Sequence, residues 1–275
     1  MATLLGQGVS ALRQTSDSPR LDAELILCHV LDQDRAFIYT WPDRSVATAQ
    51  TGQFHGLIAQ RKRGVPIAHI LGYREFWTLK LEVNDSTLIP RPETELLVEL
   101  ALERVEASVA SVLDLGTGTG AIALALASER PDWQILAVDM VPEAVALAER
   151  NRRRLGFGNV RVAISDWFAA VPQATFDLII ANPPYVAADD PHLRQGDLRF
   201  EPASALVAEH AGFSALEKII AESVDFLAPA GYLLLEHGFQ QAGEVRRALG
   251  AAGLAAVATH RDHQGLDRAS IARMP

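Results

Sequence analysis

Residues 176–185 read Phe-Asp-Leu-Ile-Ile-Ala-Asn-Pro-Pro-Tyr. The four apolar residues at positions 178–181 are typical of a buried parallel strand, and the two prolines that follow cannot donate to a sheet ladder. In open α/β sheets ligands bind beyond the carboxyl ends of the strands, where Asn182 and Tyr185 would meet them. The stretch therefore predicts a central strand that ends at a binding site, although Asn-Pro alone is more typical of a simple turn.

Strands and helices alternate on both sides of this stretch. Before it, strands are predicted at residues 112–115, 135–138 and 160–164, with helices at 121–128 and 142–155. After it come a helix near 213–227, a strand at 232–236, a helix near 240–252 and two strands at 255–259 and 269–272. This order predicts an α/β fold with a doubly wound, mostly parallel sheet of seven strands.

The residues before this region have a different pattern. Residues 1–65 carry apolar side chains at helical spacing and predict a small helical domain. Residues 66–90 predict a linking β-hairpin, because part of this segment alternates with period two around a turn-prone centre. The main domain is then predicted to span residues 91–275. Within it, the polar connection at 186–212 is longer than a compact domain requires and suggests a substrate-binding lid.

Composition limits the classes of function. The 275 residues are 49% hydrophobic, enough for a large core, and the net charge of −9 argues against a broad nucleic-acid-binding surface. No stable nucleic-acid binding is therefore expected. The sequence lacks a signal peptide and a long apolar run, so a cytoplasmic protein without membrane association is expected. The single cysteine, Cys28, and the eight histidines form no metal-binding motif, so no metal site is expected.

A glycine-rich loop follows the first predicted strand of the alternating region. Residues 114–120 read Asp-Leu-Gly-Thr-Gly-Thr-Gly, and the glycines allow a ligand to approach the backbone where the next helix begins. Asp139 follows the second strand, where it could accept both hydroxyls of a ribose. Asp166 and Trp167 follow the third, where they could bind and stack on an adenine. The predicted cofactor contacts from the loop are Gly116, Thr117, Gly118, Thr119 and Gly120.

Taken together, these segments resemble the Rossmann-like S-adenosylmethionine-dependent methyltransferases that modify a planar nitrogen. The Asn-Pro-Pro-Tyr form is shared by adenine-N6 DNA methyltransferases and protein glutamine methyltransferases. Further matches narrow the resemblance to the bacterial glutamine methyltransferases of peptide chain release factors, over nearly the whole chain. These matches lie at residues 64–76, 91–95 (Arg-Pro-Glu-Thr-Glu), 201–206 and 262–268.

The resemblance implies a reaction and its residues. S-adenosyl-L-methionine would donate a methyl group to the side-chain amide of the glutamine in a Gly-Gly-Gln motif, and S-adenosyl-L-homocysteine would be the product. Asn182, which would also contact the cofactor, and Pro183 would accept the two amide hydrogens and orient the nitrogen. Pro184 and Tyr185 would complete the substrate site, with the tyrosine ring stacked on the flat amide. Residues 1–65 would help to dock the release factor.

Several alternatives stay open at this point. An adenine amine presents nearly the same donors and flat face as a carboxamide, so Asn-Pro-Pro-Tyr alone does not separate the two substrates. A sister enzyme methylates a glutamine of a ribosomal protein, but it carries a different sequence at residues 91–95. The glycine loop also satisfies a relaxed dinucleotide pattern, which would suit a nicotinamide oxidoreductase. A methyltransferase-like fold used only as a binding module is the non-enzymatic alternative.

Overall fold

The computed structural model describes residues 1–275 and divides them into two compact units. The first unit contains residues 1–73 and 191–200, and the second contains residues 74–190 and 201–275. Part of the predicted lid thus belongs to the first unit. None of the helices combines the length and the apolar character needed to cross a membrane.

The first unit is built from short helices around one apolar core. Its α-helices are α1 (Ala2–Leu12), α2 (Pro19–Leu31), α3 (Arg35–Thr40), α4 (Thr48–Lys62) and α5 (Ile67–Leu71). Pro19 lies at the start of α2, where its missing N–H costs no hydrogen bond. Gly8 allows α1 to approach the core closely, because a Cβ atom there would lie 2.6 Å from Cζ of the fully buried Phe54.

A small two-stranded sheet follows. Its strands are β1 (Tyr73–Phe76) and β2 (Leu79–Glu82). Only two residues connect the strands, so they run antiparallel as a hairpin, and Trp77 in the turn has a φ of +55°. Phe76 and Leu81 are buried against the apolar cluster of the second unit.

The second unit contains the predicted alternation. Its larger sheet has strands β3 (Ser111–Leu115), β4 (Gln134–Asp139), β5 (Val160–Ile164), β6 (Phe176–Ala181), β7 (Leu227–Glu236), β8 (Ala255–Arg261) and β9 (Asp267–Arg273). Its helices are α6 (Glu95–Arg104), α7 (Ala121–Glu129), α8 (Pro142–Leu155), α9 (Glu209–Gly212), α10 (Ser214–Ser223) and α11 (Ala242–Ala251).

The strand order is β5-β4-β3-β6-β7-β9-β8. Strands β3 to β7 pair in parallel, and β9 runs antiparallel to both β7 and β8. The order reverses between β3 and β6, which is the topological switch point of a doubly wound sheet. The predicted fold, a seven-stranded and mostly parallel sheet with a helical amino-terminal region and a hairpin, is confirmed.

Strand β6 shows why its sequence is a continuous apolar run. Leu178 and Ile180 face one apolar cluster, and Ile179 and Ala181 face the other. All four side chains are fully buried, because helices cover both faces of the sheet. Burying one Leu or Ile side chain contributes about 1.5–3 kcal/mol, so this strand anchors the unit.

Three features differ from the sequence-based boundaries. The segment 66–90, predicted as a linking β-hairpin, begins with helix α5, so the hairpin occupies only residues 73–82. The helix predicted near residues 213–227 ends at Ser223, and strand β7 begins at Leu227 rather than at Tyr232. The reason is a tertiary contact, since the amide of Phe176 donates to the carbonyl of Phe226 at 2.8 Å and draws this segment into the sheet. The predicted connection at 186–212 also contains short helical turns, at Pro191–Arg194, Gly196–Phe200, Ala203–Ala205 and α9.

Candidate active site

The candidate site lies at the carboxyl ends of three neighbouring strands. The strands end level, since Leu115 of β3 pairs with Val138 of β4 and with Ala181 of β6. The segments that leave these strands are therefore brought to one edge of the sheet. They are residues 116–120, 139–141 and 182–185.

The glycine loop connects β3 to α7. Gly116, Gly118 and Gly120 have φ angles of +71°, +56° and +85°, a region that side chains disfavour. At Gly120 a Cβ atom would lie 2.9 Å from Cδ1 of Leu124, so a larger residue would displace that side chain in addition to straining the backbone. Beneath the loop, burial raises the pKa of Asp114 to about 7, although the hydroxyl of Thr117 donates to its carboxyl group at 2.6 Å.

Asp139 is held at the end of β4 by backbone amides. Its Oδ2 accepts from the amide of Gly118 at 2.9 Å, and its Oδ1 accepts from the amide of Val141 at 3.0 Å. Burial raises the pKa of the Asp139 carboxyl group, while these backbone hydrogen bonds oppose the rise. The carboxylate has lone pairs left for ligand hydroxyls and has a fixed orientation.

A cavity of about 140 Å³ lies beside the glycine loop. The predicted site residues that line it are Gly116, Thr117, Gly118, Thr119, Asp139, Trp167, Asn182 and Pro184. The sequence reasoning missed several other lining residues, among them Ser86, Thr87, Leu88, Pro90, Arg91, Thr94, Met140, Val141, Ala144, Ser204 and Ala205. The resemblance to a known family includes residues 91–95, but no sequence pattern assigns Thr94 or residues 86–90 to the site.

Four of the predicted site residues do not line the cavity: Gly120, Asp166, Pro183 and Tyr185. Gly120 caps the amino end of α7, and Pro183 is buried. The Asp166 side chain is 54% exposed and forms an ion pair with Lys218 at 3.2 Å. Its neighbour Trp167 has a φ of +49° and does line the cavity.

The Asn-Pro-Pro-Tyr segment is connected to a buried glutamate. Nδ2 of Asn182 donates to Oγ1 of Thr94 at 3.0 Å, and Oγ1 of Thr94 donates to Oε2 of Glu236 at 2.7 Å. The Tyr185 hydroxyl donates to the second oxygen, Oε1, at 3.1 Å. Burial raises the pKa of Glu236, against the two hydrogen bonds and the positive charge of Arg268. Burial also raises the pKa of the Tyr185 phenol, which therefore remains protonated.

The backbone of Tyr185 is fixed as well. Nε2 of Gln241 donates to the carbonyls of Tyr185 and Gly212, each at 3.2 Å. Gly212 has a φ of +88°, and a Cβ atom there would lie 2.3 Å from the Tyr185 carbonyl oxygen. A glycine is required at this close approach.

Glu201 joins two of the segments that line the cavity. Its side chain is fully buried and accepts from the Ile89 amide at 3.1 Å and from Arg91 at 2.5 Å. Residues 89–91 and 201–205 are thereby tied together, and both contribute to the cavity wall. Two of the sequence matches described above, at residues 91–95 and 201–206, thus meet at one partly buried ion pair.

His237 follows Glu236 at the end of β7. It is fully buried, and its ring nitrogens contact Ser270 Oγ at 2.8 Å and the Gly238 carbonyl at 2.9 Å. Burial lowers the pKa of this imidazole, so it is held neutral as a structural group. No set of three or more His, Cys, Asp or Glu side chains is arranged to hold a metal ion.

Comparison with known proteins places this chain in a family. Residues 3–72 match the model described as the PrmC N-terminal domain, and residues 107–266 match a methyltransferase domain. Among solved structures, a methyltransferase from Pyrococcus furiosus has the same fold at 20% identity and a TM-score of 0.55, covering 80% of this chain and 96% of that one.

The curated relatives are closer. The release factor glutamine methyltransferase of Shewanella oneidensis is 53% identical over 95% of this chain and 92% of its own length. The release factor glutamine methyltransferase of Escherichia coli is 49% identical over 98% of this chain and 97% of its own length. With this identity over almost the entire length of both chains, the protein belongs to the release factor glutamine methyltransferase family.

Proposed function

We propose that this chain transfers a methyl group from S-adenosyl-L-methionine to the side-chain amide nitrogen of the glutamine in the Gly-Gly-Gln motif of peptide chain release factors. The observation that carries the proposal is that Asn182 and Pro184 line the same cavity as glycine loop residues 116–119 and Asp139. A methyl donor and an amide acceptor bound there would be adjacent.

The cavity suits S-adenosylmethionine. The backbone of the glycine loop is open to close approach, and the Asp139 carboxylate can accept from ribose hydroxyls. Apolar side chains of Met140, Val141 and Trp167 offer a surface for the adenine. The Thr87 hydroxyl is buried without a hydrogen-bond partner, which a polar ligand would supply. When bound, S-adenosylmethionine supplies an electrophilic methyl group, and S-adenosylhomocysteine is the product.

The acceptor is the difficult partner, because the lone pair of an amide nitrogen is delocalised into its carbonyl. In the proposed mechanism Asn182 Oδ1 and the Pro183 carbonyl each accept one N–H of the substrate amide. These two acceptors fix the plane of the amide and favour positive charge on its nitrogen as the new bond forms. The methylated nitrogen is very acidic while it carries the extra proton, so a nearby acceptor or water can remove that proton without a strong base.

Tyr185 and Pro184 complete the proposed substrate site. The phenol of Tyr185 is held by Glu236, and its carbonyl is held by Gln241. With its hydroxyl and its backbone both held, the Tyr185 ring can stack on a flat amide and exclude water from it. Pro184 lines the cavity and has a restricted φ angle, so the wall beside the amide is rigid.

The alternatives have less support. Curated relatives that are 46–53% identical carry the release factor name, which favours this substrate over a ribosomal protein or an adenine. The net charge of −9 also leaves the expectation of no stable nucleic-acid binding in place. We infer further that the helices of residues 1–65 help to dock the release factor, so an intact factor should react better than a short Gly-Gly-Gln peptide.

The direct test is to incubate the purified protein with labelled S-adenosylmethionine and a purified bacterial release factor. Mass spectrometry of the digested factor should locate one added methyl group on the glutamine of Gly-Gly-Gln. An adenine-containing duplex in a parallel reaction should take up little label. Label on adenine with none on the factor would refute the proposal.

A further inference from the structure

The hydrogen bonds that join Asn182, Thr94 and Glu236 have a defined direction. The Thr94 hydroxyl has one proton, and the ionised Glu236 carboxylate can only accept, so Thr94 donates to it across their 2.7 Å contact. Toward Asn182 the same hydroxyl then offers only lone pairs. Asn182 must therefore present its NH2 group to Thr94, in agreement with the 3.0 Å contact from Nδ2.

The direction matters because a carboxamide is planar and has two chemically opposite ends. With Nδ2 used by Thr94, Oδ1 is the end of Asn182 that is left for a ligand. A rotation by 180° would present an NH2 group to the substrate amide, whose nitrogen also carries donors. Two donors facing each other would repel the substrate instead of aligning it.

We propose that Glu236 is a positioning residue that acts through Thr94 to set the orientation of the Asn182 carboxamide, so that its oxygen meets the substrate. The same carboxylate receives the Tyr185 hydroxyl through its other oxygen. Each carboxylate oxygen thus directs one side chain of the Asn-Pro-Pro-Tyr segment. This role rests on the function proposed above and assigns a part in it to Glu236, which itself does not line the cavity.

Glu236 and Thr94 are suited to this role by their burial. Their exposed fractions are 1% and 5%, so bulk solvent has little access to either group. Glu236 ends strand β7, and Thr94 ends the short 3₁₀ helix Pro92–Thr94 that precedes α6, so both lie on regular structure. An orientation imposed from rigid, buried elements is maintained between catalytic cycles.

The kinetic test uses Glu236→Gln, which keeps the shape but has one acceptor and one donor in place of two acceptors. Only one of the two hydroxyls can then keep its acceptor, so kcat toward the release factor should fall about tenfold, the scale of one net hydrogen bond. Affinity for S-adenosylmethionine, measured by calorimetry, should stay within about twofold because the glycine loop and Asp139 are unchanged. The matched control is Asp177→Asn, a carboxylate at the start of β6 that accepts the Ser111 amide at 2.8 Å.

A second pair of variants isolates the contact to Asn182. Thr94→Val keeps the shape and removes the hydroxyl, whereas Thr94→Ser keeps the hydroxyl. We expect kcat to fall about tenfold in the valine variant and to stay within about twofold of the parent in the serine variant. Equal rates in the two variants, or an unchanged kcat in Glu236→Gln, would overturn the proposal.

A spectroscopic readout makes the result independent of turnover. The sequence has four asparagines, Asn84, Asn151, Asn159 and Asn182, so selective ¹⁵N labelling gives few side-chain amide signals. The Asn182 signal, assigned from its loss in Asn182→Ala, should shift in Thr94→Val and remain in place in Thr94→Ser and Asp177→Asn. If the parent protein does not methylate the release factor, the proposed function fails, while an unshifted Asn182 signal in Thr94→Val refutes the positioning role.

Discussion

Two buried glutamates, one in each unit, are satisfied in opposite ways. Glu24 in α2 and Glu236 in β7 are each only 1% exposed. Glu24 accepts from Arg20 at 2.9 Å, from Arg35 at 2.6 Å and from the Tyr39 hydroxyl. Glu236 accepts from the neutral hydroxyls of Thr94 and Tyr185.

The difference changes the sign of the pKa shift. Burial raises the pKa of Glu24, but hydrogen bonds from Tyr39, Arg35 and Arg20 outweigh it, and the pKa lies below its usual value of 4.5. For Glu236 burial dominates, and the pKa lies above that value. Ionised Glu24 therefore stabilises the folded state above its usual pKa, and this contribution is lost as the pH falls through the folded value. The contribution of Glu236 is present at low pH and is lost as the pH rises through its raised value.

This contrast separates a stabilising carboxylate from an orienting one. A carboxylate that accepts hydrogen bonds directly from cations is favoured in its charged form and supports the fold. A buried carboxylate with only hydroxyl donors costs stability at neutral pH, and such costs are concentrated at functional sites. The following variants test the contrast from the largest expected effect to the smallest.

Asn182→Ala removes the acceptor that the Glu236 network orients. We expect kcat to fall about 10²–10³-fold, as for the loss of one transition-state hydrogen-bond partner. The midpoint of thermal unfolding should change little, because Asn182 is only partly buried. Steady-state kinetics with the release factor, beside a thermal melt, would check both. A near-normal rate would mean that the segment has only a structural role.

Glu24→Gln removes the charge that Arg20 and Arg35 neutralise. The free energy of unfolding at pH 7 should fall by about 1.5–3 kcal/mol, the scale of hydrogen bonds to a charged group. Urea unfolding from pH 7 down to pH 3 should show the deficit shrinking as the pH falls through the folded pKa of Glu24 in the parent protein. A deficit that stays constant with pH would contradict the assigned sign.

Asp139→Ala tests the carboxylate at the end of β4. Its loss should weaken S-adenosylmethionine binding by about 1–3 kcal/mol, measured by calorimetry. Asp166→Ala provides a comparison, because that side chain is 54% exposed and paired with Lys218. Its effect should remain below about 1 kcal/mol. Equal losses of S-adenosylmethionine affinity in the two variants would show that burial does not distinguish the carboxylate that binds the cofactor from the one that does not.

Glu236→Gln should have the smallest effect on stability. The loss of one hydrogen bond, about 1 kcal/mol, is offset by removing a buried charge, so the free energy of unfolding at pH 7 should change by less than about 1 kcal/mol. The fall in stability with rising pH that Glu236 causes should disappear. Urea unfolding across pH 4–8 measures this slope. A large loss of stability at pH 7 would make Glu236 a structural residue like Glu24.

Much of the fold follows from local patterns. The apolar run at 178–181 and the alternation around it predict the parallel sheet, because a strand covered on both faces needs apolar residues on both. The glycines at 116, 118 and 120 indicate a ligand loop, since their positive φ angles are a local property of the backbone. The boundary between α10 and β7 was less predictable, because the Phe176 amide draws residue 226 into the sheet through a long-range contact.

The candidate site divides in the same way. The positions of Asp139 and Asn182 beside the cavity could be predicted from sequence, because Asp139 ends strand β4, Asn182 directly follows β6, and the carboxyl ends of parallel strands meet at one edge. Which side chains turn into the cavity could not be predicted. At the end of β5, Trp167 lines the cavity while the adjacent Asp166 points to an ion pair with Lys218.

The sequence by itself determined the type of sheet, the position of the glycine loop and the strand ends that border the cavity, since these depend on the residues near each position. Only the tertiary structure decided how Asn182 is oriented. Its carboxamide is oriented by Thr94, which lies 88 residues before Asn182 and 142 residues before Glu236. No local pattern reports a hydrogen bond across such distances, because it exists only when separate elements pack together and exclude the water that would otherwise satisfy each group.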